Sequence, residues 1–456
     1  MEKRYYYDDL NISPYDREEG VMVGASPPIT EKNDVFGEED GHDIKYKTMT
    51  WQMVAVLMIA EIVSNGMLSL PSSAGVVGLV PNVILIIFLG IWGTYTAYLL
   101  VQFKHNHPDV HNMGDAGYIL FGPVGREVLA GGTIIFAVFA TGGQLLAGQI
   151  ALSALSSSKL CLMLYTGIFA IPTLFFSFPR TLDRLSWLCI LSVISILVAG
   201  IVGMVGAGVA PIVPRSVPRF ASPSFVNAFV SITNPVFAYA GHFMFFILIS
   251  EMKDPRDAMK AAYVLQGFAT TLYVVFAVVN FWYLGSTVAS PSFSSLSIKW
   301  QKAAYAIAIP NFLIAGSLYA HTAAKLLFLR LFRQSRHLHS HTVTGWGVWG
   351  VLILIMNAAA FVLAVGVPIF SYLIGIAASL FASWFTYGVA GIFWLHDSYY
   401  LSHNGIRAWR AQPVQLICSV LTIAGGGFIC VAGTYVTVKL IVDAYESGAV
   451  GKPFSC

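Results

Sequence analysis

Charged residues are scarce in this sequence. Asp, Glu, Lys and Arg make up 11% of the 456 residues, whereas hydrophobic residues make up 56%. Because an average soluble domain contains about 25% charged residues, this composition excludes an ordinary soluble protein. The net charge of +3 is too small to indicate nucleic-acid binding. We expect a polytopic membrane protein whose surroundings are the lipid bilayer.

Metal-site and enzyme motifs are also lacking. The five cysteines are scattered, without the paired spacing of a metal site. There is no P-loop, dinucleotide fingerprint or nucleophile–base arrangement. A basic loop carries His337, His339 and His341, which we interpret as a solvated loop, with metal binding as the alternative. The sequence therefore predicts no enzyme, no bound metal and no cofactor.

The first 44 residues form an acidic tail. They contain twelve Asp or Glu and four Lys or Arg, and they lack the apolar region of a secretory signal. We expect residues 1–44 to be a disordered cytosolic tail. Cytosolic regulatory partners of this tail are the alternative to a merely solvated segment. The transporter domain is then expected over 45–441, with a short extracellular tail over 442–456.

Eleven apolar segments are long enough to span a bilayer, for which a helix needs about 20 residues. With the N-terminus in the cytosol, the cytosolic connections from residue 45 onwards carry fifteen Lys or Arg and the outer ones seven. This excess obeys the positive-inside rule. The odd number of spans then places the C-terminus outside. The predicted segments are 49–79, 81–103, 126–154, 160–178, 184–210, 224–251, 258–285, 303–328, 346–367, 369–394 and 414–441.

Two of the predicted helices are interrupted. Ser64-Asn65-Gly66 breaks the first segment, and the run from Ala238 to His242 breaks the sixth. The two segments lie five helices apart. Because five is an odd number of membrane crossings, the second unit has the opposite orientation in the membrane to the first. Interrupted segments at corresponding positions are typical of inverted-repeat transporters, whose substrate site lies at the break. The alternative is a pair of glycine kinks that only improve packing.

The same segments carry a family resemblance. Residues 60–71, AEIVSNGMLSLP, resemble the first helix of the amino acid/auxin permease family, and 237–242, FAYAGH, with 250–255, SEMKDP, resemble its sixth. With HDIKYK at 42–47, the chain is similar to the fungal neutral amino acid permeases over residues 42–441. The resemblance implies an all-α, LeuT-like fold of two inverted five-helix repeats and an eleventh helix. Asn65 departs from the usual Gly-small-Gly, so we expect it to narrow the pocket or add a hydrogen-bonding group.

A zwitterionic substrate must exchange its hydration for protein groups. At the first break, the N–H groups of Gly66, Met67 and Leu68 favour a carboxylate. Carbonyl groups at 61–64 and 237–240 suit the ammonium group. No Lys, Arg or Asp lies deep in a span, which favours neutral side chains, aliphatic or aromatic. The candidate substrate-binding residues are Ser64, Asn65, Gly66, Met67, Leu68, Phe237, Ala238, Tyr239, Ala240 and Phe136.

The driving ion is predicted to be the proton. Glu61 lies about ten residues into its helix, or roughly 15 Å, close to mid-bilayer. Burial favours the neutral acid, so Glu61 can exchange protons near neutral pH. His242 is a second candidate because histidine titrates in this range. A structural, permanently protonated carboxyl is the alternative for Glu61. Sodium is less favoured, with Ser317 and Thr322 of the eighth helix as its candidate ligands.

These observations together predict a secondary active transporter. We expect it to import neutral amino acids by proton symport and alternating access, at the plasma membrane. An exporter in the vacuolar membrane is one alternative. A membrane sensor that binds an amino acid without net transport is another, since its acidic tail would then carry the signal.

Overall fold

The computed structural model describes residues 36, 39, 43–333, 335–402 and 405–448. Within these residues the regular structure is helical, apart from one isolated β-bridge between Met49 and Met252. In the described residues, nine helical segments are long and apolar enough to cross a membrane, and one bent pair forms a tenth span. The shorter apolar helix Leu162–Phe176 completes the eleven. The predicted all-helical, multi-span fold is confirmed.

Helices are numbered in chain order, and a span is one passage through the bundle. Span 1 consists of α1 and α2, span 6 of α7 and α8, and span 10 of α13, a π-helix and α14. The helices α11 and α15 are short and lie between spans. The bounds are α1 Trp51–Ile62, α2 Asn65–Val77, α3 Leu79–Asn106, α4 Met113–Ser156, α5 Leu162–Phe176, α6 Leu182–Val209, α7 Phe225–Ala238, α8 Phe245–Ser250, α9 Ala258–Leu284, α10 Ile298–Phe332, α11 Arg336–His339, α12 Val343–Gly366, α13 Phe370–Ala377, the π-helix Ala378–Gly388, α14 Val389–Tyr400, α15 Ile406–Ala411 and α16 Pro413–Glu446.

Two glycines with positive φ shape the connections. Gly78 alone separates spans 1 and 2 at φ +92°, and a Cβ there would lie 2.8 Å from the Arg219 carbonyl oxygen. Gly122 has φ +67° and, with Pro123, bends α4 near its start. This bend separates the amphipathic first turns of α4 from the apolar part of span 3. Glycine is needed at both positions because L-residues with a side chain rarely adopt this conformation.

The spans differ in how much of each is buried inside the bundle. The apolar windows of spans 6 and 8 are 94% and 89% buried, whereas that of span 11 is 28% buried. Large apolar side chains such as Phe175 and Trp187 lie exposed on the outer faces, as contact with lipid requires. Spans 6 and 8 therefore form the centre, and span 11 lies at the periphery.

Part of each predicted tail lies in the described structure. Phe36 and Ile44 are buried, although the sequence assigned both to the tail. At the other end, α16 continues to Glu446, beyond the predicted end at 441. Most of the predicted tail and residues 449–456 lie outside the described part of the chain. Cys161 forms a disulfide.

Candidate functional site

The breaks in spans 1 and 6 lie against each other. Span 1 bends by 49° between α1 and α2, and span 6 loses its α-helical structure between Ala238 and Phe245. A Cβ on Gly66 would lie 2.5 Å from Ala238 Cα, and a Cβ on Gly241 would lie 2.6 Å from Ile62 Cγ2. Only glycine permits this approach, so the two glycines bring both breaks into one site.

Helix α2 presents an uncapped N-terminus at this junction. Ser64 precedes the helix, but its hydroxyl donates to Gln144 Oε1 at 3.1 Å and does not cap it. In the part of the chain that the structure describes, no acceptor is seen for the N–H groups of Asn65, Gly66 and Met67. The first N–H groups of a helix have no partner within it, and they favour an anion. Of the predicted carboxylate ligands, Gly66 and Met67 therefore lie at an open helix end, whereas Leu68 lies one residue further into α2.

The carbonyl groups at the two breaks already accept hydrogen bonds from spans 7 and 8. Tyr319 Oη donates to the Glu61 carbonyl at 2.9 Å, and Asn311 Nδ2 donates to Val63 at 3.3 Å. Tyr273 Oη lies 3.0 Å from the Ile62 carbonyl and 2.7 Å from that of Ala238. Buried carbonyl groups must be satisfied where a helix is interrupted, which explains these donors. A carbonyl oxygen has a second lone pair, so it can still accept from an ammonium group.

Sequence reasoning missed Tyr273, Asn311 and Tyr319. All three are buried, and each carries a polar group into the interior of a membrane span. That combination was the available signal, because a hydroxyl or amide at this depth needs a partner.

The Glu61 carboxyl group is buried without a partner. Glu61 is 1% exposed, and among the described residues neither carboxyl oxygen has a hydrogen-bond partner. Its Oε2 lies 3.7 Å from the position of a Cβ on Gly241, so it faces the break in span 6. A buried carboxylate without a partner is far less stable than the neutral acid. The other buried Lys, Arg, Asp and Glu side chains in the described chain, Lys104, Arg180, Glu251 and Lys325, all have partners.

Asn65 adds an unpaired amide beside Glu61. Both polar atoms of its side chain are buried without a protein partner. Its Nδ2 lies 3.5 Å from the position of a Cβ on Gly143, so the amide faces span 3. Together with Gln144, which accepts from Ser64, it forms a polar contact region between spans 1 and 3. The departure from the family pattern thus places a hydrogen-bonding group in the interior.

Aromatic side chains form a wall of the site. The Phe136 ring centroid lies 6.4 Å from that of Phe237 and 4.9 Å from that of Phe243. The π-helix of span 10 adds Phe381 and Phe385, at 6.0 and 6.3 Å from Phe136. Two of the three predicted aromatic residues therefore come together, and the π-helix that supplies the others has no counterpart in the sequence prediction.

The third predicted aromatic residue, Tyr239, turns away from this wall. Its hydroxyl lies 3.0 Å from both the Ile86 carbonyl and Thr270 Oγ1. His242 also faces span 2, where its Nε2 lies 2.8 Å from the Gly93 carbonyl. Because a carbonyl only accepts, this nitrogen must carry the proton. Both side chains therefore hold span 6 to its neighbours.

The candidate sodium ligands of span 8 use their hydroxyl protons elsewhere. Ser317 Oγ donates to the carbonyls of Thr173 and Leu313, at 3.0 and 2.7 Å. Thr322 Oγ1 donates to Leu318 at 2.8 Å. These bonds lie within span 8 and toward span 4, and Thr322 Oγ1 also lies 3.4 Å from Met244 Sδ at the break in span 6. The contacts from span 8 to the break in span 1 come instead from Asn311 and Tyr319.

One end of the bundle is closed by the segment before span 1. We call the end at which residues 43–50 lie the basal end. There Lys325 of span 8 pairs with Glu251 at the end of span 6, and its ammonium lies 4.8 Å from the Tyr46 ring centroid. Lys325 is 2% exposed, although the charge count placed it in a cytosolic connection. The main chain of Met49 exchanges hydrogen bonds with 251 and 253, so this segment bridges spans 6 and 8.

The histidines of the basal loop face different partners. His337 Nδ1 bonds Thr342 Oγ1 at 2.7 Å, and the His339 ring packs against Tyr46. The His341 ring stacks on Trp346. In the described part of the chain they do not form a group able to hold a metal ion.

Residues 47–439 match the family described as "Transmembrane amino acid transporter protein". The chain is 31% identical over 449 residues to a "Transmembrane transporter" of Gibberella moniliformis, covering 96% of this chain and 93% of that protein. It is 27% identical over 463 residues to the "N amino acid transport system protein" of Neurospora crassa, covering 98% and 97%.

The solved structure of a substrate-bound, outward-open Na⁺-coupled sialic acid symporter superposes with a TM-score of 0.57 at 11% identity. The superposition covers 92% of this chain and 95% of the symporter. This likeness shows the fold alone. It confirms the LeuT-like fold that the family resemblance implied.

Proposed function

Because the chain belongs to the transmembrane amino acid transporter family, we propose that it imports neutral amino acids together with protons. The observation that carries this proposal is the buried, unpartnered carboxyl of Glu61. It lies between an open helix N-terminus and the break in span 6. The protein then acts as a secondary transporter in the plasma membrane, with its N-terminus in the cytosol and its C-terminus outside.

The geometry favours a neutral zwitterion. The N–H groups of Asn65, Gly66 and Met67 receive the carboxylate, and the break carbonyls receive the ammonium through their remaining lone pairs. The Phe136 and Phe237 rings line the part of the site that receives the side chain of the substrate. Apart from Glu61, the buried Lys, Arg, Asp and Glu side chains of the described chain are already partnered. Glu61 is the neutral acid in the closed site, so a charged substrate side chain would lack a counter-charge there.

Proton coupling follows from the two environments of Glu61. With the site closed, the carboxyl group is excluded from water and is stable as the neutral acid. When the site opens to the cytosol, water solvates the carboxylate and the proton leaves. Alternating access of spans 1 and 6 past the other spans would thus move one proton with each substrate. Sodium coupling remains the alternative, with Ser317 and Thr322 as its candidate ligands, since their hydroxyl oxygens keep lone pairs while their protons are donated to backbone carbonyls.

The test is uptake of a labelled neutral amino acid mixture into proteoliposomes without sodium. An inward proton gradient should produce accumulation, and a protonophore should abolish it. Accumulation that requires sodium instead would refute proton coupling while retaining transport. Binding without accumulation under either ion would favour the sensor function. Uptake into isolated vacuoles compared with whole cells separates the plasma-membrane importer from the vacuolar exporter.

A further inference from the structure

Three metal-ligating side chains meet at the basal end, away from the helix breaks. His107 follows the last residue of α3, whereas His396 and Asp397 are consecutive in α14. His107 Nε2 lies 2.9 Å and His396 Nδ1 lies 3.0 Å from the same atom, Asp397 Oδ1. The second carboxyl oxygen accepts from Asn106 Nδ2 at 2.9 Å. The three side chains are 10–11% exposed, so the group is sheltered but reachable.

The chemistry of this group suits a transition metal. One ligand atom from each residue lies within 4.8 Å of the others. In a tetrahedral site with ligands at about 2.0–2.1 Å, neighbouring ligand atoms are separated by roughly 3.4 Å. Small side-chain shifts therefore suffice. Two imidazoles and a carboxylate suit zinc and similar ions, whereas calcium and magnesium prefer oxygen ligands alone.

Neighbouring side chains hold the two imidazole rings toward Asp397 Oδ1. Side chains at i and i+1 of a helix do not normally face each other, yet His396 and Asp397 converge here. The His107 ring packs on Phe103 at 4.4 Å between centroids, and the His396 ring packs on Tyr400 at 4.7 Å. The bond from Asn106 fixes the carboxylate, as outer-shell partners do in metal sites.

We propose that His107, His396 and Asp397 bind a divalent transition-metal ion such as Zn²⁺. In the metal-free protein the ring nitrogens hydrogen-bond to Asp397. On binding, His107 Nε2 and His396 Nδ1 each release to water the proton that they donate to Asp397, the other nitrogen of each ring takes up a proton from water, and the freed lone pairs bind the metal. The bound ion clamps the end of span 2 to span 10. This inference uses the geometry of the three side chains and does not depend on the proposed transport function.

The test uses the full-length protein in detergent, stripped with EDTA and titrated with Co²⁺. The wild type should bind one Co²⁺ per chain, with the visible d–d absorption of a tetrahedral nitrogen–oxygen site, and Zn²⁺ should displace it. Asp397→Asn and His107→Ala should each weaken the affinity at least about tenfold. His341→Ala is the matched control, because this basal histidine lies outside the group, and its affinity should equal that of the wild type.

The wild-type spectrum tests the proposal without relying on any variant. If the wild type shows neither bound Co²⁺ nor the absorption band, Asp397 is only a hydrogen-bond acceptor and the proposal fails. Unchanged affinity in Asp397→Asn, or an equal loss in His341→Ala, also overturns it. Thermal unfolding without metal identifies variants that fail to fold, and His396→Gln then replaces them.

Discussion

At the scale of single residues, Glu61 and Gly66 connect the sequence to the transport mechanism. Glu61 contributes a carboxyl group with no partner, and Gly66 allows the break in span 1 to touch span 6. In the proposed mechanism, Glu61 carries the proton and Gly66 shapes the substrate site. Substitution at each should therefore produce a different kinetic defect.

Replacing Glu61 with glutamine should uncouple transport from the proton gradient. The amide has almost the same shape but cannot release a proton. We expect gradient-driven accumulation to vanish, while exchange of labelled for unlabelled substrate across the membrane continues. Glu127→Gln is the control, because Glu127 is an exposed acid. Accumulation by Glu61→Gln that still follows the pH gradient would contradict the assigned role.

Replacing Gly66 with alanine should damage the site directly. The new methyl group would lie 2.5 Å from Ala238 Cα, and overpacking of this kind destabilises a protein by about 1–3 kcal/mol. We expect a lower unfolding temperature and a raised KM for uptake. Gly267→Ala is the control, because a Cβ there meets nothing within 4 Å. Equal effects of the two substitutions would show that the contact with Ala238 does not matter.

The sequence alone identifies Glu61 and the break in span 1, but it does not identify the direction of the Tyr239 side chain. Glu61 and the run Ser64 to Gly66 stand out because a charge and a helix break are both unfavourable at this depth. The direction of Tyr239 was not predictable. It follows an interrupted helix, so the 3.6-residue period no longer fixes which neighbour it faces. Its hydroxyl contacts spans 2 and 7 instead of the aromatic wall.

At the scale of helices, the break in span 1 is stable because other spans satisfy its carbonyl groups. Tyr273, Asn311 and Tyr319 lie more than 200 residues along the chain from the carbonyls of 61–63. Local sequence cannot reveal such partners, since they depend on how spans 7 and 8 pack. The π-helix of span 10 was missed for a similar reason. Its composition is that of an ordinary apolar helix.

Tyr273→Phe should therefore destabilise the break while leaving the packing intact. It removes the hydroxyl near the carbonyls of Ile62 and Ala238, and a buried acceptor without a donor costs about 1–3 kcal/mol. We expect a lower unfolding temperature and slower uptake. Tyr263→Phe in the same helix α9 is the matched control, because Tyr263 is 57% exposed. Identical unfolding temperatures for both variants would exclude the capping role.

At the scale of the whole molecule, the structure is closed at its basal end. The pair between Glu251 and Lys325 joins spans 6 and 8, and Tyr46 covers it from the segment before span 1. Substrate release in that direction requires these contacts to separate. The pair therefore contributes to the balance between closed and open states as well as to folding.

Lys325→Met should shift that balance toward opening. It leaves Glu251 buried without its partner, and removing one member of a buried pair costs about 3–5 kcal/mol. We expect faster hydrogen exchange at residues 43–50 and a lower unfolding temperature. The double variant Glu251→Gln with Lys325→Met should recover much of the slow exchange and of the unfolding temperature, because no unpaired charge remains. Arg330→Met is the control, since its pair with Glu127 is about half exposed and is worth only about 0–1 kcal/mol. If hydrogen exchange at 43–50 is as slow in Lys325→Met as in this control, the buried pair does not hold the basal end closed.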